Sequence, residues 1–244
     1  MIEKYANPNR FQTLSKHLIP LFGILSLIAF TVGLYIAFFA SPPDYQQKET
    51  VRIMYIHVPA AWMSMSIFFW MGISSFLVIW RRHHLANIAA KSMAPIGAVL
   101  AFICLVTGAL WGKPTWGTYW IWDARLTSML LLFFLYIGYI LIQYTTEDHF
   151  KASKISAIFA SVGLINLPII KFSVEWWNTL HQGPSIIRAG GPSIHETMLW
   201  PLFTMAFAYL CLTVFLTLIN MRTELLQQKI EGMLRRKVSE ATHA

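Results

Sequence analysis

Residues 92–144 read SMAPIGAVLAFICLVTGAL (92–110), WGKPTWGTYWIWDARLTS (111–128) and MLLLFFLYIGYILIQY (129–144). Two apolar runs flank a segment crowded with tryptophan, glycine and proline. A chain crossing a bilayer must satisfy its backbone polar groups internally, and an apolar helix of about 20 residues does so. The flanking runs, near 92–111 and 126–144, read as two such spans. Four more lie outward of them, near 18–40, 56–80, 155–172 and 199–220. The expected fold is therefore an all-α polytopic membrane protein with six transmembrane helices.

Composition agrees. Of the 244 residues, 56% are hydrophobic and 12% charged, and mean hydropathy is +0.53. An ordinary soluble domain is about 25% charged, so a soluble globular enzyme and a disordered chain are both excluded. The two cysteines, Cys104 and Cys211, lie inside apolar runs and read as small buried hydrophobes rather than a disulfide scaffold. The first run follows a polar lead and has no small-residue cleavage site, so it reads as a retained helix. Residues 1–222 form the expected membrane domain. Residues 223–244 form a basic, amphipathic tail, with Leu225, Leu226, Ile230 and Leu234 at helical spacing, suited to a partner or the membrane surface.

The net charge of +8 is unevenly spread. One side carries Lys4, Arg10, Lys16, Arg81, Arg82, Lys91, Lys151, Lys154, Arg222, Lys229, Arg235, Arg236 and Lys237. The other carries Lys48, Arg52, Lys113, Arg125, Lys171 and Arg188. Because basic loops stay cytoplasmic, both termini are expected in the cytoplasm. The segments near 41–55, 112–125 and 173–198 are then expected to face outward.

The unusual residues gather on that outward side. Trp111, Trp116, Trp120 and Trp122 fall within one short stretch, and Trp176 and Trp177 in the next outward loop. Tryptophan at the headgroup level explains Trp80 and Trp200. It explains the 111–122 cluster poorly, because a belt uses one or two residues per helix end. Gly112, Pro114 and Gly117 oppose a continuous helix there. Trp120 and Trp122 would share a face of an extended segment. A shaped loop displaying flat rings beside a membrane suits a large planar apolar ligand. Asp123 precedes the next apolar run, where it suits the N-cap. Arg125, in that helix's first turn, gains nothing from the helix dipole; its partner is either Asp123 or a ligand carboxylate. Arg52 precedes the second span on the same side.

Histidine is the other signal. His57 stands at the outward mouth of the second span, just before Pro59, and His181 lies in the last outward loop. Each alone reads as an interfacial polar residue. Together beside the tryptophan cluster they suit an axial pair on a haem iron. His195 is a weaker substitute, and His83 and His84 read as headgroup contacts. Asn166 and Pro168 interrupt the fifth span, as a packed kink or part of a polar path. The chain has no Walker A loop, HExxH, CxxCH or GxSxG pattern.

The run Trp111–Ser128 closely resembles the tryptophan-rich WWD motif of haem-handling proteins in cytochrome c biogenesis. YIHVPAAWMSM (55–65) and NLPIIKFSVEWWNTLHQG (166–183) extend the resemblance to the six-span member of the bacterial cytochrome c maturation system. The resemblance implies haem b as ligand and His57 and His181 as its axial ligands. Trp111, Trp116, Trp120 and Trp122 become its platform, with Asp123 inside the motif. Arg52 and Arg125 suit the propionates, and Glu175, Trp176 and Trp177 surround the second histidine. It further implies a bacterial inner-membrane protein with its haem site facing the periplasm. Its partners would be the ABC transporter subunits CcmA and CcmB, the small subunit CcmD and the haem chaperone CcmE. The chaperone's histidine becomes covalently attached to a haem vinyl group, and ATP hydrolysis by the transporter frees it. Residues 184–200 match no motif. Three other readings are an electron-transfer membrane cytochrome, a haem synthase of the same superfamily, and a transporter carrying haem across the membrane. The first would want histidine pairs inside the spans, and the second is larger with more spans.

Overall fold

A computed structural model describes residues 7–183, 185–186 and 190–242. Lys4, Arg188 and His243 lie outside the described residues. The helices are α1 (Pro8–Tyr35), α2 (Met54–Arg81), α3 (His84–Trp116), α4 (Ala124–Thr145), α5 (His149–Gly163), α6 (Asn166–Trp176) and α7 (Glu196–Thr242). A π-helical turn at Ile36–Ala40 extends α1, and a 3-10 turn at Glu49–Ile53 leads into α2. Among the described residues there is no β-strand; one isolated bridge, Asp44 to Lys48, closes a turn. Six segments are long and apolar enough to cross a membrane: Pro8–Ala40, Glu49–Arg81, His84–Trp116, Ala124–Thr145, His149–Trp176 and Glu196–Ala241.

Local chemistry sets the helix ends. Asn7 caps α1 ahead of Pro8, and Asp148 caps α5 through the amides of Phe150 and Lys151. His83, read from sequence as a headgroup contact, accepts from the Ala86 amide at 3.1 Å and caps α3. The left-handed Gly117 (φ 80°) ends α3. That end differs from the sequence expectation. Trp111–Trp116 is the last stretch of a helix rather than a loop, in spite of Gly112 and Pro114. Thr115 Oγ1 donates to the Trp111 carbonyl at 2.8 Å, and a Cβ on Gly112 would lie 3.0 Å from the Trp116 ring, so glycine there lets that ring fold back. The non-helical part is 120–123, where the Asp123 amide donates to the Ile121 carbonyl at 2.9 Å in a tight turn and Trp120 and Trp122 meet edge to face at 5.3 Å.

Helices α2 and α3 pack along one another at the centre. Helix α7 lies against both and carries α1 on its outer side; α4 and α5 close the opposite flank. Lipid supplies no hydrophobic drive between helices, so close packing of small residues must hold them together. Gly97 accepts the Tyr136 ring, and a Cβ on Gly72 would sit 2.5 Å from Leu164. Tyr136 is fully buried, meets Phe68 edge-on and donates to the Ser64 carbonyl at 2.6 Å. Tyr136→Phe is expected to cost about 1 kcal/mol, seen as a lower thermal midpoint of the detergent-solubilised chain.

The fifth crossing breaks at Leu164–Ile165. Asn166 Nδ2 donates to the Ser128 carbonyl of α4 at 2.9 Å, so the irregularity is a packed kink. Below the break α5 packs on α2; above it α6 packs on α4 and leaves α2. Helix α7 runs unbroken through position 222. Its 47 residues reach about 70 Å, well past a hydrocarbon core of about 30 Å. Leu225 packs with Ile88 and Met221, whereas Leu226, Ile230 and Leu234 are exposed. Both cysteines are buried and unpaired.

Candidate functional site

One cavity of about 410 Å³ opens among α2, α3, α4 and α6 at the end of the bundle that carries the 117–123 and 177–195 segments. That is within the range of small-molecule and cofactor pockets. His57 and His181 both line it, as do Trp111, Trp116, Trp120 and Arg125. The wall is mostly apolar.

His57 lies in the first turn of α2. Its Nδ1 is 3.0 Å from the Cys104 carbonyl and 3.1 Å from Thr107 Oγ1. The Thr107 hydroxyl already donates to the Ile103 carbonyl at 2.6 Å. A carbonyl can only accept, so Nδ1 carries the proton and Nε2 keeps its lone pair. His181 reaches the same state by another route. Its Nδ1 donates to Asp123 Oδ2 at 3.0 Å. The other oxygen of that carboxylate accepts the Leu126 amide at 2.7 Å and caps α4. Asp123 thus fills its expected N-cap role and also holds His181. Among the described residues neither Nε2 carries a hydrogen bond. Each ring is braced by an indole: His57 by Trp111 at 5.7 Å and His181 by Trp116 at 4.7 Å, both edge-on.

Burial holds the His181 imidazole below its usual range; the Asp123 hydrogen bond and charge oppose that, and Arg125 adds to it. The ring is therefore neutral at pH 7, the form that can ligate a metal.

Arg125 is not ion-paired with Asp123. Its Nε donates to Ser173 Oγ at 3.2 Å, and Nη2 makes long contacts to the Ile170 and Lys171 carbonyls at 3.5 and 3.4 Å. Its charge has no carboxylate partner among the described residues. With Lys171 also in the lining and Asp123 already committed, the polar side of the cavity favours anions. The Trp120 Nε1 is buried in the wall with no hydrogen-bond partner among the described residues.

Other candidates lie elsewhere. Arg52 pairs with Glu49 at 2.6 Å and does not line the cavity. Trp122, Trp176 and Trp177 are largely exposed outside it, as is Glu175. His195 Nδ1 accepts from the Thr197 amide at the start of α7, also away from the cavity.

Sequence reading missed three residues. Gln47 lines the cavity and accepts from Trp111 Nε1 at 2.7 Å, across a separation that no local pattern reveals. Lys171 sits in α6 below the tryptophan pair. Gly108 faces His57: a Cβ there would lie 2.9 Å from His57 Cε1. Gly108→Ala is expected to push the imidazole off its Cys104 anchor. It should weaken ligand binding by about tenfold or more with little loss of helix stability, since alanine is the better helix former; a ligand titration beside a thermal melt checks this.

The fold and cavity define a class: a six-span membrane protein whose end cavity is lined by two imidazoles, a set of indoles and two cationic side chains. The family model described as Heme exporter protein C matches residues 1–236. The chain is 48% identical to the Heme exporter protein C of Bradyrhizobium diazoefficiens, over 93% of this chain and 86% of that one. It is 45% identical to that of Escherichia coli K12, over 92% and 91%. A putative cytochrome c biosynthesis ccmC-like mitochondrial protein of Marchantia polymorpha is 50% identical over 75% and 77%. The chain belongs to the Heme exporter protein C family.

Proposed function

We propose that this chain binds haem in the cavity and delivers it to a haem chaperone for the maturation of c-type cytochromes. The observation that carries the reading is the matched state of the two imidazoles. Each has Nδ1 tied to an obligate acceptor and, among the described residues, no hydrogen bond on Nε2, and both line one cavity. An acceptor on Nδ1 orients a ligating histidine and raises the basicity of its other nitrogen. Haem is cargo here; its iron supplies the acceptor for two imidazole nitrogens. The chain's own groups do the rest. Trp111, Trp116 and Trp120 give apolar area and exclude water, and Arg125 takes a propionate. Trp122, Trp176 and Trp177, exposed at the same end, form an apolar rim suited to the membrane surface or a docking partner.

The basic residues favour cytoplasmic termini, which turns the cavity toward the periplasm of a bacterial inner membrane. In the family reading the recipient is CcmE, and CcmA, CcmB and CcmD complete the complex. A cavity at the end of the bundle suits handover better than one sealed between spans.

The test is to purify the chain, record oxidised and reduced absorption spectra with haem, and then add the soluble domain of the chaperone. A six-coordinate low-spin spectrum that moves to the chaperone is the expected result. A chain that binds no haem, or keeps it in the presence of the complete partner set, overturns the proposal.

A further inference from the structure

The main cavity has a neighbour on its α2–α6 side. A second cleft, of about 350 Å³, lies between α2 and α6 and is lined by Met65, Ser66, Phe69, Trp70, Leu167, Pro168, Lys171 and Phe172. Met65 and Lys171 belong to the lining of both spaces. The cleft and the cavity are therefore neighbours across one methionine and one lysine.

The fold explains why a cleft forms there. Below the helix break, Leu164 presses on Gly72 and Phe68 on Gly163, so α2 and α5 close tightly. At Leu164–Ile165 the crossing changes direction, Asn166 is tied to α4, and α6 follows α4 instead of α2. The two helices part. Pro168, in the first turn of α6, lines the cleft beside Leu167.

The cleft lies at membrane depth. Lys171 and Leu167 are about 8 and 14 Å below Trp176 along α6, at a rise of 1.5 Å per residue. That is the outer half of a hydrocarbon core about 30 Å thick. Phe69 and Trp70 are 48% and 57% exposed, so at this depth they face lipid. Leu180, His181, Gly183 and Ile186 of the following loop segment also line the cavity, and Ile186 packs on the core.

Taking the cavity as a haem site, as proposed above, we infer that the α2–α6 cleft is a lateral portal through which the planar tetrapyrrole passes between the lipid leaflet and the cavity. Met65 forms the sill. Methionine is unbranched and can swing aside where a β-branched side chain cannot. Lys171, exposed at the mouth, meets the ligand carboxylates and can reach the headgroup level as the rings slide past the apolar wall. The portal determines how fast haem enters and leaves, and not how tightly it is held.

The experiment reconstitutes the full chain in phosphatidylcholine vesicles, adds haem to the same bilayer, and follows the Soret band by stopped flow. Ser66→Trp fills the cleft without touching the main cavity. It is expected to slow both uptake and release about tenfold while the dissociation constant stays within about twofold. Phe69→Ala widens the mouth and is expected to speed both. Unchanged rates in the two variants overturn the portal. So does a weaker affinity at an unchanged uptake rate, because the cleft is then part of the binding site. If Ser66→Trp does not fold, Phe69→Ala decides alone: faster exchange supports the portal and unchanged exchange overturns it. A wild-type chain that takes up no haem overturns the haem site itself, and with it the portal.

Discussion

Replacing His57 by alanine is expected to abolish the low-spin haem spectrum of the purified chain and to weaken haem binding by more than the ~10–100-fold that losing a hydrogen-bond partner of a ligating histidine costs. Replacing His181 should do the same to the spectrum but should also reach the fold. The Cys104 carbonyl that holds His57 sits inside α3, within reach of its own helical partner, so His57→Ala leaves no polar group stranded. The Asp123 carboxylate is buried, and His181 is the only side chain bonded to its Oδ2 among the described residues. His181→Ala strands that oxygen, at a cost of about 1–3 kcal/mol. Titration with haem, with and without added imidazole, separates the effects. Imidazole in solution is expected to restore the spectrum of both variants, because each deletion opens a space of that shape. The thermal midpoint of His181→Ala alone should stay low. His195→Ala, which removes a helix-capping contact away from the cavity, should leave the spectrum unchanged.

The fold was legible because lipid simplifies the problem. Six apolar runs between polar breaks leave helices as the only economical structure, and all six expected spans lie within the observed crossings. The cavity was legible in part, because the tryptophans of 111–122 outnumber what an interfacial belt uses at one helix end, and His57 and His181 fall on the same side. What the sequence could not tell was orientation within the cluster. Trp120 and Trp122 sit ring against ring, but in a tightly turned stretch rather than an extended one, and only Trp120 turns into the cavity. The same limit applies to Arg52. Its partner Glu49 lies three residues away, a pairing that sequence permits without requiring. The helical state of 111–116 was hidden by Gly112 and Pro114, whose weak propensities are overridden by the Trp116 ring against Gly112 and the Gly117 stop. Gln47 and Gly108 act through contacts with distant residues, Trp111 and His57, and carry no pattern of their own.

Asp123 joins fold to chemistry in one side chain, and two substitutions separate its roles. Asparagine still offers an oxygen to the Leu126 amide and is as good an N-cap as aspartate, but its amide brings no charge to His181. Asp123→Asn is therefore expected to hold stability within about 0.5 kcal/mol of a capped helix and to weaken haem binding by about 10–100-fold. Asp123→Ala loses the cap as well, a further cost of about 1 kcal/mol. The pH dependence gives an independent check. Protonated imidazole cannot ligate a metal, so binding fails as pH falls through the His181 pKa. Burial already places that pKa below the usual histidine range, and both contributions from Asp123 raise it. Removing the carboxylate removes the hydrogen bond and charge that raise it, so the His181 pKa falls further. The acid limb of the haem-binding curve should then move to lower pH in Asp123→Asn, while affinity on the neutral plateau drops. A variant that merely loosened the fold would lose affinity at every pH without moving the limb downward. An acid limb that moved upward would show that Asp123 does not act through His181.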